Sequence, residues 1–259
     1  MSEDKLKIAG KDFSSRLLVG TGKYKNEQVA VKAIEASGAE IVTVAIRRVA
    51  IDSKLREECI LNYISPEKFT ILPNTAGCFS ASDAVRVARL GREMLSNSNL
   101  VKLEVLSDPH SLLPLMDETL EAAKELVSDG FEVMVYCTDE IDYALKLEDI
   151  GCCAVMPLAA PIGSGLGIQN KINLKIIRNR TKLPVIVDAG IGQASDATQA
   201  MELGCDGVLI NTAIAKAKNP YEMAEAMKYA VISGRKSYLS GRINPNLFGS
   251  ASTTNSGII

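Results

Sequence analysis

The chain has 259 residues, of which 47% are hydrophobic and 23% charged, and its net charge is −2 at pH 7. This is the composition of an ordinary globular protein with ample apolar material for a core, and it gives no reason to expect a nucleic-acid-binding surface. No apolar run is long enough to cross a membrane and the first residues lack a signal peptide, so we expect a cytoplasmic protein.

Strand-like apolar runs alternate with amphipathic helical stretches along the chain. A short hairpin is predicted at Leu6–Lys11, and eight strand–helix units follow it. The strands are predicted at Arg16–Gly20, Glu40–Ile46, Phe69–Pro73, Asn99–Leu106, Phe131–Tyr136, Ala154–Leu158, Pro184–Asp188 and Gly207–Asn211. The helices are predicted at Asn26–Ser37, near Ser53–Tyr63, from Ser82, at Asp117–Asp129, Asp139–Ile150, near Asn173–Asn179, at Asp196–Leu203 and from Asn219 to Gly234. A short extra helix and a polar tail, Gly241–Ile259, which we expect to be mobile, complete the chain.

Eight strand–helix units predict a single-domain α/β fold, a (β/α)8 TIM barrel over residues 1–240, because parallel strands need helical crossovers. An open doubly wound sheet is the alternative. Such a sheet usually has fewer strands and one glycine-rich turn after its first strand, whereas the glycines here cluster after the sixth to eighth strands. The barrel is therefore the favoured architecture.

Charged residues interrupt the otherwise apolar strand predicted at Asn99–Leu106. Side chains alternate along a strand, so Lys102 and Glu104 share one face. Asp188 ends the seventh strand, on the face opposite the valines of that strand. We expect Lys102, Glu104 and Asp188 to point into the barrel lumen at the carboxyl ends of the strands, where TIM-barrel enzymes have their active sites. A lysine with two carboxylates suits imine chemistry, because it offers an amine nucleophile and groups that move protons. Taken singly, each residue could instead be a structural charge.

Short runs rich in glycine or in hydrogen-bonding side chains follow the last three predicted strands. They are Gly163–Gly165, Ala189–Gly192 and Asn211–Ala213. Barrels often bind phosphate in these loops, and glycines let backbone N–H groups approach an anion. Asn211 and Thr212 add side-chain donors. The pattern predicts a phosphate site, although turns also use glycine for purely steric reasons.

Other chemical candidates are weaker. The segment Gly20–Lys23 is not a Walker loop, which needs four residues between its first glycine and Gly-Lys, but Lys23 is a rival amine nucleophile. Arg47–Arg48 could meet an anion, with a solvated loop as the alternative, and His110 is expected at the surface. The six cysteines show no C-x-x-C spacing and the chain has one histidine, so no metal site is expected.

These residues belong to a series of motifs that covers nearly the whole chain. The motifs are Leu18–Tyr24, Leu72–Gly77, Val101–Val105, Pro161–Gly165, Pro184–Gly192 and Gly207–Ala213. In this order they resemble the bacterial and plastid thiazole synthase family of thiamine biosynthesis. The segment Leu113–Asp117 departs from that family, which more often has Leu-Pro-Asp-Pro there.

The resemblance implies an enzyme that condenses 1-deoxy-D-xylulose 5-phosphate with dehydroglycine and takes sulfur from a thiocarboxylated sulfur-carrier protein. It implies that Lys102 forms an imine with the sugar ketone and that Glu104 and Asp188 transfer protons. Sugar and phosphate contacts carry over onto Gly163, Ala189, Gly190, Asn211 and Thr212. The resemblance also implies a homo-oligomer, either a dimer or a tetramer, and a second partner, the enzyme that produces dehydroglycine. It requires no organic cofactor and no metal, and neither nucleic acid nor a membrane is an expected partner.

The alternative functions are those of other phosphate-binding barrels, either a Schiff-base aldolase or an oxidoreductase that binds flavin mononucleotide. Flavin barrels also hold phosphate after the seventh and eighth strands, so the phosphate site does not discriminate, whereas the colour of the purified protein does. A non-enzymatic binding role leaves the pairing of Lys102 with Glu104 without a purpose.

Overall fold

The computed structural model describes residues 4–47, 60–95 and 98–253. Two short strands, β1 (Leu6–Ile8) and β2 (Lys11–Phe13), pair as an antiparallel hairpin. Eight parallel strands follow: β3 (Leu17–Gly20), β4 (Ile41–Ala45), β5 (Thr70–Asn74), β6 (Leu100–Leu103), β7 (Glu132–Cys137), β8 (Ala154–Pro157), β9 (Ile186–Asp188) and β10 (Gly207–Ile210). The helices are α1 (Glu27–Ser37), α2 (Ala81–Met94), α3 (Met116–Ser128), α4 (Ile141–Ile150), α5 (Lys171–Arg180), α6 (Ala194–Glu202), α7 (Thr212–Ala215) and α8 (Pro220–Ser240).

The eight parallel strands form a closed barrel. Their order in the sheet is β8-β7-β6-β5-β4-β3-β10-β9. Parallel bridges from Val155 to Val185 and from Leu158 to Asp188 join β8 to β9 and close the sheet. The predicted (β/α)8 barrel is therefore confirmed, and the open doubly wound sheet is wrong.

Strand alternation divides the apolar side chains into two cores. Val101, Leu103 and Val105 point outward into a shell between the sheet and the helices. Alternating side chains such as Leu18 and Met134 point inward and form a smaller cluster in the lumen. The hairpin adds its apolar side chains to this inner cluster. Apolar residues thus fill the amino-terminal part of the lumen, and the polar residues lie at the carboxyl ends of the strands.

The last long helix, α8, differs from the prediction. Its start is as expected, because the side chain of Asn219 accepts a hydrogen bond from the backbone of Glu222 and Pro220 occupies the first turn. The helix does not end at Gly234 but continues to Ser240, and residues 241–253 contain no separate extra helix. A Cβ atom at Gly234 would lie 2.5 Å from the Thr198 carbonyl oxygen, so this glycine permits close packing of α8 on α6.

Two other predicted segments, the second helix and the tail, lie only partly within the described residues. Most of the helix predicted near Ser53–Tyr63 lies outside the described residues, and the described part contains one 3₁₀ turn, Ile60–Asn62. Residues 241–253 of the tail have no helix or strand and are exposed, and their mobility stays a prediction. No helix in the described ranges is long and apolar enough to cross a membrane.

Candidate active site

The carboxyl ends of the barrel strands surround a cavity of about 190 Å³. The predicted site residues all line it: Lys102, Glu104, Gly163, Asp188, Ala189, Gly190, Asn211 and Thr212. The structure adds polar residues from β4 and β5 and the turn after β3, which contains Lys23. The cavity therefore joins the candidate imine residues to the candidate phosphate loops.

The centre of the cavity is a buried cluster of one amine and two carboxylates. The Nζ atom of Lys102 lies 2.9 Å from Oε1 of Glu104 and 2.5 Å from Oδ2 of Asp188. The three side chains are only 6%, 7% and 5% exposed, respectively. A buried charge is costly unless it is paired, and here each charge has an opposite charge within hydrogen-bonding distance. The paired cluster carries a net charge of about −1 when both carboxylates are ionised.

Glu104 lies one residue beyond the end of β6, where the strand ladder no longer fixes its backbone. Thr75 takes over that role. Its hydroxyl donates to the Glu104 carbonyl oxygen at 2.8 Å and accepts from the Glu104 N–H at 2.8 Å, and its own N–H donates to the Lys102 carbonyl oxygen at 3.2 Å. Because Thr75 is fully buried, these bonds do not compete with water. They hold Glu104 beside the amine.

The surroundings shift the proton affinities of the cluster. Burial alone lowers the pKa of Lys102, but the carboxylates of Asp188 and Glu104 raise it by more, so the net direction is upward and the resting amine is protonated at neutral pH. Burial and the nearby Glu104 carboxylate raise the pKa of Asp188, and together they outweigh the lowering by the Lys102 ammonium. A raised pKa makes the Asp188 carboxylate a stronger proton acceptor than an ordinary aspartate.

The backbone after Asp188 takes an unusual conformation. Ala189 has φ +58°, a region that L-residues other than glycine rarely occupy. Gly190 follows with φ +76°, and a Cβ atom there would lie 2.4 Å from the backbone nitrogen of Ala160. The Gly190 carbonyl oxygen accepts a hydrogen bond of 2.8 Å from Gly167. Gly190 is therefore needed for packing as well as for any anion binding, because the backbones of the loops after β8 and β9 are in direct contact there.

Asn211 and Thr212, which follow β10, have different environments. With its amide nitrogen toward the carbonyls, Asn211 donates to Gly22 at 2.9 Å and to Gly20 at 3.3 Å. This arrangement ties the turn after β3 to the end of β10. The Thr212 hydroxyl instead lies beside Gly163. A Cβ atom added to this glycine would be 3.6 Å from the hydroxyl oxygen. Thr212 is thus the better placed of the two to contact a ligand directly.

Several sequence candidates do not reach the cavity. His110 is exposed in the loop after β6 and does not line the cavity. Its backbone N–H donates a hydrogen bond to the Asp108 carboxylate. The Arg47 guanidinium donates to the carbonyl oxygen of Gly77, and Arg48 lies outside the described residues. No group of three or more histidine, cysteine, aspartate or glutamate side chains within the described ranges could hold a metal ion.

Three residues in or beside the cavity were not predicted from the sequence as site residues. Asn74 ends β5 beside Lys102 in the strand register, and its amide donates to the Thr43 hydroxyl at 3.4 Å. Tyr136 lies beneath the amine, with Nζ of Lys102 5.7 Å from its ring centre, and its hydroxyl donates to the Leu112 carbonyl at 3.3 Å. Burial raises the pKa of Tyr136, so its phenol stays protonated. A polar residue at a strand end is the signal that could have identified Asn74, and a polar residue inside an otherwise apolar strand is the signal for Thr43.

The geometry permits one type of covalent chemistry in particular. A neutral lysine amine can attack a carbonyl carbon, and the 2.5 Å between Lys102 Nζ and Asp188 Oδ2 is short enough for a proton to pass between them and leave the amine neutral. The two carboxylates can then remove and return protons at neighbouring carbon atoms. The site has the groups for imine formation and for proton transfer, and it continues into loops suited to an anion.

Comparisons with known proteins agree on a relationship. The sequence profile of the thiazole biosynthesis protein ThiG matches residues 7–254. Curated thiazole synthases are similar: that of Maricaulis maris is 61% identical over 99% of this chain and 96% of its own, and that of Pelagibacter ubique is 60% identical over the full length of both. A chain in the crystal structure of the Amycolatopsis orientalis BexX/CysO complex is 31% identical, with a TM-score of 0.84, and the match covers 96% of this chain and all of that one. The chain therefore belongs to the ThiG family, the thiazole synthases of thiamine biosynthesis.

Proposed function

We propose that this protein builds the thiazole phosphate part of thiamine from 1-deoxy-D-xylulose 5-phosphate, dehydroglycine and a thiocarboxylated sulfur-carrier protein. The observation that carries the proposal is the Lys102 amine, buried between the carboxylates of Glu104 and Asp188 in the barrel cavity. A structural ion pair does not need a third charged group or a cavity beside it. An imine-forming amine needs both a proton acceptor and room for a ketone.

In the first step, Lys102 transfers a proton to Asp188 and the neutral amine attacks the sugar ketone. Loss of water gives an imine, which makes the adjacent C–H bond more acidic. A carboxylate of the pair removes that proton, and tautomerisation moves the carbonyl to the next carbon atom. The thiocarboxylate sulfur adds to that carbonyl carbon, the carrier acyl group moves to the former carbonyl oxygen, and the carrier leaves with this oxygen as an ordinary carboxylate, so that the sulfur stays on the sugar carbon. The dehydroglycine nitrogen then displaces the Lys102 amine from the neighbouring carbon, the sulfur bonds to the dehydroglycine carbon, and loss of the adjacent hydroxyl as water completes the ring.

The phosphate end of the sugar is assigned to the loops after β8, β9 and β10. The proposed contacts are Gly163, Ala189, Gly190, Asn211 and Thr212. The position of these loops, at the carboxyl ends of the last strands, is where barrels commonly bind phosphate. The hydrogen bonds of Asn211 to the turn after β3 support a bracing role for its amide, alongside any contact with substrate.

Two protein partners belong to the proposal, the sulfur carrier and the dehydroglycine-producing enzyme, together with self-association into a dimer or tetramer. The BexX/CysO complex, which contains a chain of similar fold, supports a protein partner for this family. Nucleic acid and membranes are not proposed as partners. The cytoplasmic location stays a prediction.

Reconstitution with purified components tests the function. The protein is mixed with 1-deoxy-D-xylulose 5-phosphate, freshly generated dehydroglycine and thiocarboxylated carrier, and the thiazole phosphate is detected by mass spectrometry. We expect product only when all three substrates are present, with the carrier sulfur in the ring. Product formed with a carrier that ends in an ordinary carboxylate, or no product from folded protein, would contradict the proposal.

A further inference from the structure

The proposed imine chemistry assigns no function to Lys23, which lies in the turn after β3. We propose that Lys23 is the cation that neutralises the phosphate group of the sugar substrate. The inference rests on the proposed function, and it assigns to this residue binding rather than nucleophilic attack. It follows from the position of the amine, the backbone that places it and the charges in the cavity.

The amine of Lys23 lies over Gly163, in the loop after β8. A Cβ atom at Gly163 would be 3.2 Å from Nζ of Lys23 and 3.6 Å from the hydroxyl oxygen of Thr212. The ammonium and the hydroxyl are therefore no more than about 7 Å apart, and both border the space that a side chain at position 163 would occupy. Donors so separated can both bond to a single phosphate group, whose oxygens accept hydrogen bonds in several directions.

The backbone of the turn is held in the conformation that places this lysine. Lys23 has φ +70°, a left-handed conformation that is strained for a residue with a Cβ atom. Asn211 ties the turn to the end of β10 through hydrogen bonds to the carbonyl oxygens of Gly20 and Gly22. Gly20 is also essential to this contact, because a Cβ atom there would lie 2.7 Å from the Cβ atom of Asn211. The turn and the phosphate loops form one packed unit.

The charges that line the cavity favour a second cation at the phosphate. Two of the described residues that line the cavity are cations, Lys102 and Lys23, and two are anions, Glu104 and Asp188. Lys102 is paired with both carboxylates and has to become neutral to form an imine, so it cannot balance a phosphate. A phosphate monoester brings a charge of about −2 at neutral pH into this region. Lys23, whose amine lies beside Gly163, supplies positive charge at the phosphate end.

The test compares the phosphorylated sugar with the sugar that lacks the phosphate. Lys23→Met removes the charge and keeps the length of the side chain, Lys23→Arg retains the charge, and Lys23→Gly removes the side chain while relieving the positive φ. Lys25→Met is the matched control, because Lys25 is an exposed lysine two residues away that does not line the cavity. Binding of 1-deoxy-D-xylulose 5-phosphate and of 1-deoxy-D-xylulose is measured by calorimetry, and imine formation is measured by borohydride trapping.

We expect Lys23→Met and Lys23→Gly to weaken binding of the phosphorylated sugar by about tenfold or more, as for loss of a charge-assisted hydrogen bond, and to leave binding of the other sugar unchanged. Lys23→Arg should retain most of the affinity, Lys25→Met all of it, and the trapped adduct should stay on Lys102. Equal weakening for both sugars, no weakening, or an adduct on Lys23 would overturn the assignment.

The two proposals fail in different ways. If the wild-type protein binds the phosphorylated sugar but forms no adduct, imine chemistry is wrong and the calorimetric comparison still decides the role of Lys23. If the wild-type protein binds neither sugar, both proposals are overturned.

Discussion

The Nζ atom of Lys102 and the Oδ2 atom of Asp188 are 2.5 Å apart, and both side chains are almost completely buried. At this distance the ion pair and its neutral tautomer, an amine beside a carboxylic acid, differ only in the position of one proton. The pKa of Asp188 is raised, first by burial, which favours the neutral tautomer more than an ordinary aspartate would. Under the proposed mechanism, proton transfer from Lys102 to Asp188 is the step that would let a lysine whose pKa is raised act as a nucleophile.

The first prediction concerns the pH dependence of imine formation. The ion pair and the neutral tautomer carry the same number of protons, so the fraction of reactive amine does not change with pH between the two pKa values. We expect the initial rate of adduct formation, measured in samples quenched with borohydride after timed incubation, to vary by less than about threefold between about pH 6.5 and 9. A tenfold rise per pH unit would show that the amine loses its proton to solvent instead.

The double variant Glu104→Gln, Asp188→Asn is the control for this profile. It removes both carboxylates, so burial acts alone and lowers the pKa of Lys102 below its ordinary value. Its rate should rise with pH up to that lowered pKa and then level off.

The second prediction concerns stability without the central amine. Lys102→Met leaves two buried carboxylates without their cation, and breaking such a pair costs about 3–5 kcal/mol. Loss of the ammonium also removes the interaction that lowers the pKa of Asp188, so the folded-state pKa rises further. A carboxylate whose pKa is raised by folding binds its proton more tightly in the folded state, so stability is present at low pH and is lost as pH rises through the folded-state pKa.

Urea denaturation of Lys102→Met and wild-type protein at several pH values measures this effect. We expect the difference in unfolding free energy between the two proteins to grow from acid to neutral pH. A difference that is constant with pH would contradict the electrostatic account of the cluster.

The third prediction concerns Thr75, which holds Glu104 in place. Thr75→Val keeps the shape of the side chain and removes the hydroxyl, leaving the buried N–H and carbonyl of Glu104 without that partner. We expect a loss of about 1–3 kcal/mol in unfolding free energy, together with a fall in kcat of about tenfold as Glu104 loses its position. Thr75→Ser keeps the hydroxyl and should restore most of both. A Thr75→Val protein with normal kcat would show that Glu104 does not need this support.

The fourth prediction separates two costs of adding a methyl group to a glycine. Gly190→Ala combines a positive φ with a Cβ atom 2.4 Å from the Ala160 nitrogen, whereas Gly10→Ala has a similar φ and no atom within 4 Å. Gly10→Ala should therefore cost about 1 kcal/mol, from the backbone alone. Gly190→Ala should cost at least about 2 kcal/mol more, because the loop has to move, and should weaken binding of the sugar phosphate. Equal costs in thermal denaturation would show that the loops do not pack as tightly as described.

Much of the barrel could be predicted from the sequence because its signals are local. Strand alternation placed Lys102 and Glu104 on the inner face, since Val101, Leu103 and Val105 had to pack on helices. The distances could not be predicted, because they depend on strand register. Asp188 reaches the amine because β9 joins β8 at the pair of Leu158 with Asp188 and so closes the barrel.

Glycines were harder to interpret, because the same residue serves turns, helix ends and close contacts. Gly234 resembles a helix end in the sequence, but it lies inside α8 where the Thr198 carbonyl approaches. Gly190 resembles part of an anion-binding loop, but it also packs against Ala160. The partner in each contact is far away in the sequence, so no local pattern reveals it.

The most direct measurement is borohydride reduction of the protein in the presence of 1-deoxy-D-xylulose 5-phosphate, followed by peptide mass spectrometry. We expect a reduced sugar adduct on Lys102, and no adduct anywhere in the Lys102→Met variant, because the proposed nucleophile is the Lys102 amine buried between Glu104 and Asp188. An adduct on Lys23, or the absence of any adduct from folded protein that binds the sugar phosphate, would contradict this expectation.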